Sequence, residues 1–513
     1  MQTVHIYAFP LPALLCVLCC APAAFRIYRR SVHMFQLCSY QDPSYKKYLR
    51  ENTAESFSVR RLLPLGLTAA GLLFWPLAPV GGGLFLLVNP VRAGKKPLVW
   101  TARVKRLTVT AAVVYLLLAL VHPLLPVIYA LVMPYAVMAL AWINTPMEKR
   151  ISAWYMNDAR RILRANTDAG MRVIGLTGSY GKTSTKYFLK ELLSVKYNVY
   201  MTPGNFNTPL GVTRAIREGL RPTHEIFLCE MGARHVGDIT ELCDFVHPDM
   251  GIVTSIGPQH LETFGSQENI TREKLALYEA VKDRDGAFLG DDSPLIHGGS
   301  YTGKVTLYGT GAGCDYRGGD IRVGPFGSEF TITGPDGRTV TFKTRLLGRA
   351  NVQNIIGAVA VANRLGIDMQ ALVPAVRALE SVPHRLCLVP GGGDTWFIDD
   401  AYNSNPEGAR VALETLSMCG DMARILLTPG MVELGELESR LNGELGRQAA
   451  ACCDYAVLVD PRRGPDIRRG LLEGGFPADR IFLTDTLEKG LDHARRIAGP
   501  KMILLLNDLP DHY

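Results

Sequence analysis

Residues 107–143 run for about 37 positions without an Asp, Glu, Lys or Arg, nearly twice what one helix needs to cross a bilayer. Inside a bilayer such a run must be helical, because its backbone polar groups find no water to bond. His122-Pro123 and Pro126 divide it into an outgoing and a returning helix. Two other apolar stretches precede it, 5–25 (HIYAFPLPALLCVLCCAPAAF) and 62–91, the latter broken by Trp75-Pro76, Pro79 and the triplet Gly81, Gly82, Gly83. Basic clusters follow the first run and separate the others: Arg26, Arg29 and Arg30; Lys46, Lys47 and Arg50; Arg60 and Arg61; Arg92, Lys95 and Lys96; Arg103, Lys105 and Arg106. Such clusters mark cytoplasmic loops. The first run has its basic residues after it, the opposite polarity to a signal peptide. The expectation is a membrane segment of about five helices over 1–150, with Met147-Glu148-Lys149-Arg150 delivering the rest of the chain to the cytoplasm.

Much of the net charge of +7 sits in those clusters, which argues against a nucleic-acid partner. The eleven cysteines are scattered, and Cys16, Cys19 and Cys20 lie within an apolar run with no second ligand pair. No disulfide framework is visible, in keeping with a reducing compartment.

Beyond 151 strand and helix signals alternate. RVIGLTG, EIFLCEMG and MGIVTSIG are β-rich runs ending in Gly, and STKYFLKELLSVK is amphipathic. That alternation predicts an α/β fold, a doubly wound parallel sheet over 151–386. Residues 300–345 carry short strands and the turn Pro335-Asp336-Gly337, so a small antiparallel insertion is expected there. TWFIDDAYNSNP, RILLTPG, DYAVLVD, RIFLTD and MILLLND predict a second, Rossmann-like α/β domain over 387–513.

Between the first strand and its helix lies GLTGSYGKTSTK (175–186). Gly178 and Gly181 let backbone N–H groups close around an anion, and the helix N-terminus adds partial positive charge. Lys182 would reach the β- and γ-phosphates of ATP, and Thr183 would sit on Mg²⁺. Thr177, Ser179, Tyr180 and Ser184 complete the expected ATP loop. The common P-loop has a Gly five positions before its Gly-Lys pair; here that position is Leu176.

This loop, followed by TPGNFNTPLGV (202–212), EMGARHVGDI (230–239), IVTSIGPQHLETFGS (252–266) and REKLALYEA (272–280), resembles the Mur ligase family. LLGRANVQN (346–354), VPHRL (382–386), IDDAYNSNP (398–406) and GMVELGE (430–436) continue the series in the family's order. The Glu-Met-Gly-Ala and Asp-Asp-Ala-Tyr-Asn-Ser-Asn-Pro stretches most resemble the branch that adds D-alanyl-D-alanine to a muramoyl tripeptide. The resemblance implies an ATP-dependent ligase of bacterial cell-wall synthesis that works through an acyl phosphate and releases ADP and phosphate.

It further implies that Glu230 and Thr183 hold magnesium on the ATP phosphates, that His260 holds a second magnesium, and that Lys274 is carbamylated. Asn351 and Asn354 would meet adenine, although the family's His before the first Asn is Ala350 here. Arg385 and Asp400 would reach the nucleotide, Asn205, Asn207 and Thr208 the donor, and Asn403 and Asn405 the amine. Where soluble members carry a UDP-binding domain, this chain has its apolar segment. The donor therefore stays open between a UDP-linked and a polyprenyl-linked peptide, the membrane lipid being a partner in the second case. Other readings are a polymer-forming amide ligase and an ATP-driven membrane transporter.

Overall fold

The computed structural model describes residues 11–507, apart from 39, 91–96, 260, 402–405 and 433. The chain divides into two compact units, one within residues 1–154 and one within 155–509.

In the first unit three helices are long and apolar enough to cross a membrane: Leu11–Leu37, Ala102–Val121 and Leu125–Asp168, the last continuing past residue 154. The broken apolar stretch 62–91, open between one long irregular span and a hairpin of two short ones, folds as the helices Val59–Ala70 and Leu77–Val88, of 12 residues each. Each is about 18 Å long, short of the ~30 Å apolar core. The turn between Gly71 and Pro76 leaves too few residues on either side for a full crossing. The pair packs closely at Gly81, where a Cβ would lie 2.4 Å from the Thr68 nitrogen. Arg26 donates to the carbonyls of Leu86 (2.7 Å) and Asn89 (2.8 Å), satisfying the end of the second short helix. Arg106 grips Glu148 with two hydrogen bonds of 2.6 and 2.8 Å, and one turn away Thr110 donates to Asn144.

The second unit holds two sheets. Strands β1 (Arg172–Thr177), β2 (Val199–Met201), β3 (Ile226–Glu230), β4 (Met250–Val253), β5 (Ala287–Gly290) and β6 (Val305–Gly309) are parallel, in the order β2-β3-β1-β4-β5-β6. The antiparallel strands β7 (Tyr316–Gly324), β8 (Gly327–Thr333) and β9 (Thr339–Thr344) extend this same sheet from β6 and do not form a separate one. Helices Lys182–Leu193 and Arg349–Arg364 bury one face, and Asp238–Val246 with Gln267–Val281 bury the other. Both faces of β1, β3 and β4 are therefore covered, which explains their unbroken apolar runs.

The second sheet comprises β10 (Cys387–Pro390), β11 (Thr395–Asp400), β12 (Ala423–Thr428), β13 (Tyr455–Leu458), β14 (Ile481–Leu483) and β15 (Lys501–Leu506), ordered β10-β11-β15-β12-β13-β14. All its neighbours are parallel except the edge pair β10–β11. After β12 the chain passes Gly430 and is held by Asn442, which is fully buried. Asn442 accepts from the Met431 N–H (2.8 Å) and donates to the carbonyls of Met431 and Glu438 (3.0 Å each). Asn442→Ala strands these three buried groups and should cost about 2–4 kcal/mol. Denaturant titration of variant and parent will measure the loss.

Candidate active site

Helix Lys182–Leu193 starts where the turn after β1 brings the backbone round through two glycines in left-handed or extended positive-φ conformations, Gly178 (φ 146°) and Gly181 (φ 79°). A Cβ on Gly181 would lie 2.4 Å from Asn354 Oδ1, so the close approach of Asn354 to the loop requires glycine there. The loop is clamped from the side by the segment after β4. Ser179 N–H donates to Ser255 O (2.6 Å), Ser179 Oγ donates to Gly257 O (2.9 Å), and Tyr180 N–H donates to Ser255 Oγ (3.3 Å). Thr254 Oγ1 donates to Tyr180 O, and Thr177 Oγ1 donates to Met231 O (3.0 Å). Ser184 is buried in the first helical turn.

Lys182 Nζ donates to Gly178 O (2.6 Å) and Ser179 O (3.0 Å). Burial lowers its pKa to about 8, with Glu230 opposing that shift and Arg385 adding to it. Glu230 ends β3, at the carboxyl edge where α/β sheets place ligands, and is 1% exposed. Its Oε1 accepts from Thr183 Oγ1 and from Asn207 Nδ2, both at 3.2 Å. Lys186 Nζ lies 2.9 Å from Oε2 as an ion pair, off the direction of a hydrogen bond. A carboxylate, a hydroxyl and an amide are hard donors that suit magnesium. Among the described residues, no three His, Cys, Asp or Glu side chains converge as a metal centre. His260 lies outside the described residues, as do Asn403 and Asn405.

The turn before helix Pro209–Gly219 brings Asn207 to Glu230, and Asn207 O accepts from Gly232 N–H (2.8 Å). Thr208 caps that helix by accepting from Gly211 N–H (3.3 Å), so its hydroxyl serves the backbone. Asn205 sits in the same turn, its carbonyl accepting from Asn207 N–H.

Lys274, on helix Gln267–Val281, is 2% exposed, with Nζ 6.0 Å from the centre of the Phe264 ring. Burial lowers its pKa to about 7; Lys182 pushes the same way, while Glu273 and Asp238 resist. Glu273 accepts from Gly237 N–H (2.7 Å) and Ile239 N–H (2.6 Å), tying the Lys274 helix to the start of helix Asp238–Val246.

Asn351 is buried and donates to Leu347 O (2.8 Å), so one amide hydrogen serves the hinge. Arg385 stands between two residues of positive φ, His384 (61°) and Leu386 (48°). His384 Nδ1 lies 2.8 Å from Asp399 Oδ2, and Asp400 Oδ1 accepts from Leu386 N–H (3.2 Å). Arg385 acts electrostatically on both Lys182 and Asp400, which brings the second sheet's edge to the nucleotide loop.

Lys186, Glu273 and Thr254 were given no role from the sequence. Lys186 is spaced three and seven positions from Leu189 and Leu193, both fully buried, and that stripe was the available signal.

Residues 176–362 match the model of the Mur ligase middle domain, and residues 384–507 that of the Mur ligase glutamate ligase domain. Over 317 residues the chain is 33% identical to the UDP-N-acetylmuramoyl-tripeptide–D-alanyl-D-alanine ligase of Bacillus subtilis, covering 61% of this chain and 68% of that one. The Escherichia coli protein of the same name is 30% identical over 321 residues, covering 62% and 70%. The crystal structure of MurF from Acinetobacter baumannii superposes with a TM-score of 0.62 at 26% identity, covering 71% of this chain and 78% of that one. MurF ligase from Thermotoga maritima in complex with ADP gives 0.61 at 26%, covering 70% and 81%.

Asp400 has a pKa raised to about 6, above all by burial and further by Asp399, against the opposing pull of Arg385 and the Leu386 N–H. The folded chain therefore binds the extra proton between the usual 3.8 and about 6. Stability falls as pH rises through that window, and the full cost is present above it. Asp400→Asn should melt higher than the parent at neutral pH, with the gap closing as pH falls below about 4. Thermal melts across that range will check the sign.

Proposed function

The chain belongs to the Mur ligase family, whose members are ATP-dependent ligases forming ADP and phosphate, and from that premise we propose that it adds D-alanyl-D-alanine to a muramoyl tripeptide. The observation that carries the reading is the corner formed by Lys182, Thr183 and Glu230 at the end of β3, with Thr183 and Glu230 3.2 Å apart.

In this reading residues 1–150 form the membrane segment, 151–386 the ATP-binding domain and 387–513 the domain that receives the amine. The loop 177–184 wraps the phosphates with backbone N–H groups, and Lys182 exchanges its two loop carbonyls for phosphate oxygens. The donor carboxylate attacks the γ-phosphorus of ATP, forming an acyl phosphate as the bond to ADP breaks. The amine of D-alanyl-D-alanine then attacks the acyl carbon, phosphate leaves, and the amine's proton passes to solvent or to a neighbouring base.

Glu230 and Thr183 would hold the magnesium of the family, with Asn207 beside them and His260 assigned to a second ion; bound there, it neutralises phosphate charge. Arg385 and Asp400 meet the nucleotide from the other domain, Asn351 and Asn354 border the base, and Asn205, Asn207 and Thr208 line the donor's path. Asn403 and Asn405 face the amine. Closing these groups together excludes water from the acyl phosphate.

Lys274 supports the carbamate role on chemical grounds. Only a neutral amine attacks CO₂, and a pKa lowered to about 7 keeps much of this lysine neutral at cellular pH. The intact mass of the protein should gain one CO₂ in bicarbonate, and Lys274→Ala should neither gain it nor retain more than about a hundredth of the activity. An unchanged mass in bicarbonate and a fully active Lys274→Ala would discard the role.

A second reading, a polyprenyl-linked donor, is favoured by the three long apolar helices and by outward Leu116, Leu120 and Val121, which are 60, 70 and 76% exposed. In either reading the protein is a multi-pass protein of the inner membrane with its ligase domains in the cytoplasm. Mass spectrometry of products from ATP, D-alanyl-D-alanine and each donor separates the readings. A pentapeptide product from the UDP-linked donor alone supports the first, and one from the lipid-linked donor alone supports the second. ADP released without donor or amine would instead favour a transporter.

A further inference from the structure

Lys186 is fully buried, yet it lies one helical turn beyond the phosphate-binding lysine and carries no apolar function. Its ammonium reaches two partners from two other segments. Nζ lies 2.9 Å from Glu230 Oε2 and donates to Gly204 O at 2.7 Å. The same lysine thus joins the helix after the nucleotide loop, the end of β3, and the turn that carries Asn205 and Asn207.

A buried carboxylate needs a partner, but this pairing has a further consequence. Oε1 of Glu230 faces Thr183 and Asn207, whereas Oε2 is committed to Lys186. Lys186 offsets the negative charge of Glu230, and the Lys182 ammonium beside them leaves these three groups net positive. A divalent cation approaching Glu230 alone would be repelled rather than drawn in. The phosphates of ATP reverse that sign, because they bring several negative charges to the loop beside Lys182.

We propose that Lys186 makes divalent-metal binding at Glu230 conditional on the nucleotide: the metal is held when phosphates are present and let go when they leave. The inference rests on the reading of Glu230 as a metal ligand. It makes Lys186 a positioning residue, since it touches neither the phosphates nor the reacting carboxylate. It also keeps Lys182 for phosphate, because Glu230 already has a cation of its own.

The test uses the full chain in detergent and Mn²⁺ binding followed by electron paramagnetic resonance, with and without a non-hydrolysable ATP analogue. The parent chain should bind Mn²⁺ at least about tenfold more tightly with the analogue than without it, and Glu230→Gln should abolish that binding. If Glu230→Gln changes nothing, the reading of Glu230 as a ligand fails before Lys186 is tested. With that established, Lys186→Met and Lys186→Gln should bind Mn²⁺ without nucleotide at least about tenfold more tightly than the parent. The Glu230→Gln/Lys186→Met double variant should lose that gain. Lys186→Gln keeps a donor for Gly204 O and so serves if Lys186→Met does not fold. A purely structural lysine would lose binding or leave it unchanged on substitution, so a folded variant without the nucleotide-free gain overturns the proposal.

Discussion

A single buried carboxylate organises the nucleotide-binding corner of this chain. Glu230 is carried to the end of β3 by a strand covered on both faces, and there it meets side chains from three other places. Thr183 comes from the first turn of the nucleotide-loop helix, Lys186 from the next turn, and Asn207 from the turn before helix Pro209–Gly219. A charge held at 1% exposure is expensive unless partnered, so each partner is constrained in position as well as in identity. The glycines of the loop matter for the same reason. They let the backbone turn tightly enough to bring Thr183 and Lys182 beside that carboxylate.

Around this corner the chain gathers cations. Lys182, half-buried, and Lys274, buried, both have lowered pKa values, each partly through other positive groups nearby. Such crowding disfavours the empty site and favours a polyanion, which is what a nucleotide-consuming ligase must attract. Arg385 and Asp400 add the contribution of the second sheet. Their segment is held in an unusual backbone conformation by hydrogen bonds to Asp399 and Asp400. Arg385 stands between His384 and Leu386, and its charge acts on both Lys182 and Asp400.

Much of this was legible in the residues. Gly-Lys-Thr-Ser after a short apolar strand, Glu at the end of another strand, and the order of the quoted segments led to the family and to an ATP-consuming ligase. The alternation of strands and helices led to two α/β domains, and the charge-free run at 107–143 led to two long helices. Other features were less legible. Over 62–91 the residues left open one long irregular span or two short helices, because apolar content reports on solvent preference and not on where a chain turns; the fold has two short helices. The antiparallel strands after β6 read as a separate insertion, since nothing local states that β6 will pair with β5. The helix cap that Thr208 makes with its hydroxyl is set by its neighbours' backbone, which residue type does not announce.

Sequence alone determined what kinds of group this protein carries: a glycine-rich Gly-Lys-Thr-Ser loop, a strand-end carboxylate, lysines on amphipathic helices, and apolar runs long enough to cross a membrane. Those are properties of residue type and spacing, and they survive without coordinates. Which lysine does what was decided only by tertiary structure. Lys182 and Lys274 stood out by the segments they sit in, but Lys186 did not, and only the fold shows that Lys182 bonds the loop carbonyls, Lys186 neutralises Glu230, and Lys274 stands apart with a pKa of about 7. The physical reason is that a charge takes its role from the partners within a few ångströms, and here those partners come from segments dozens of residues away.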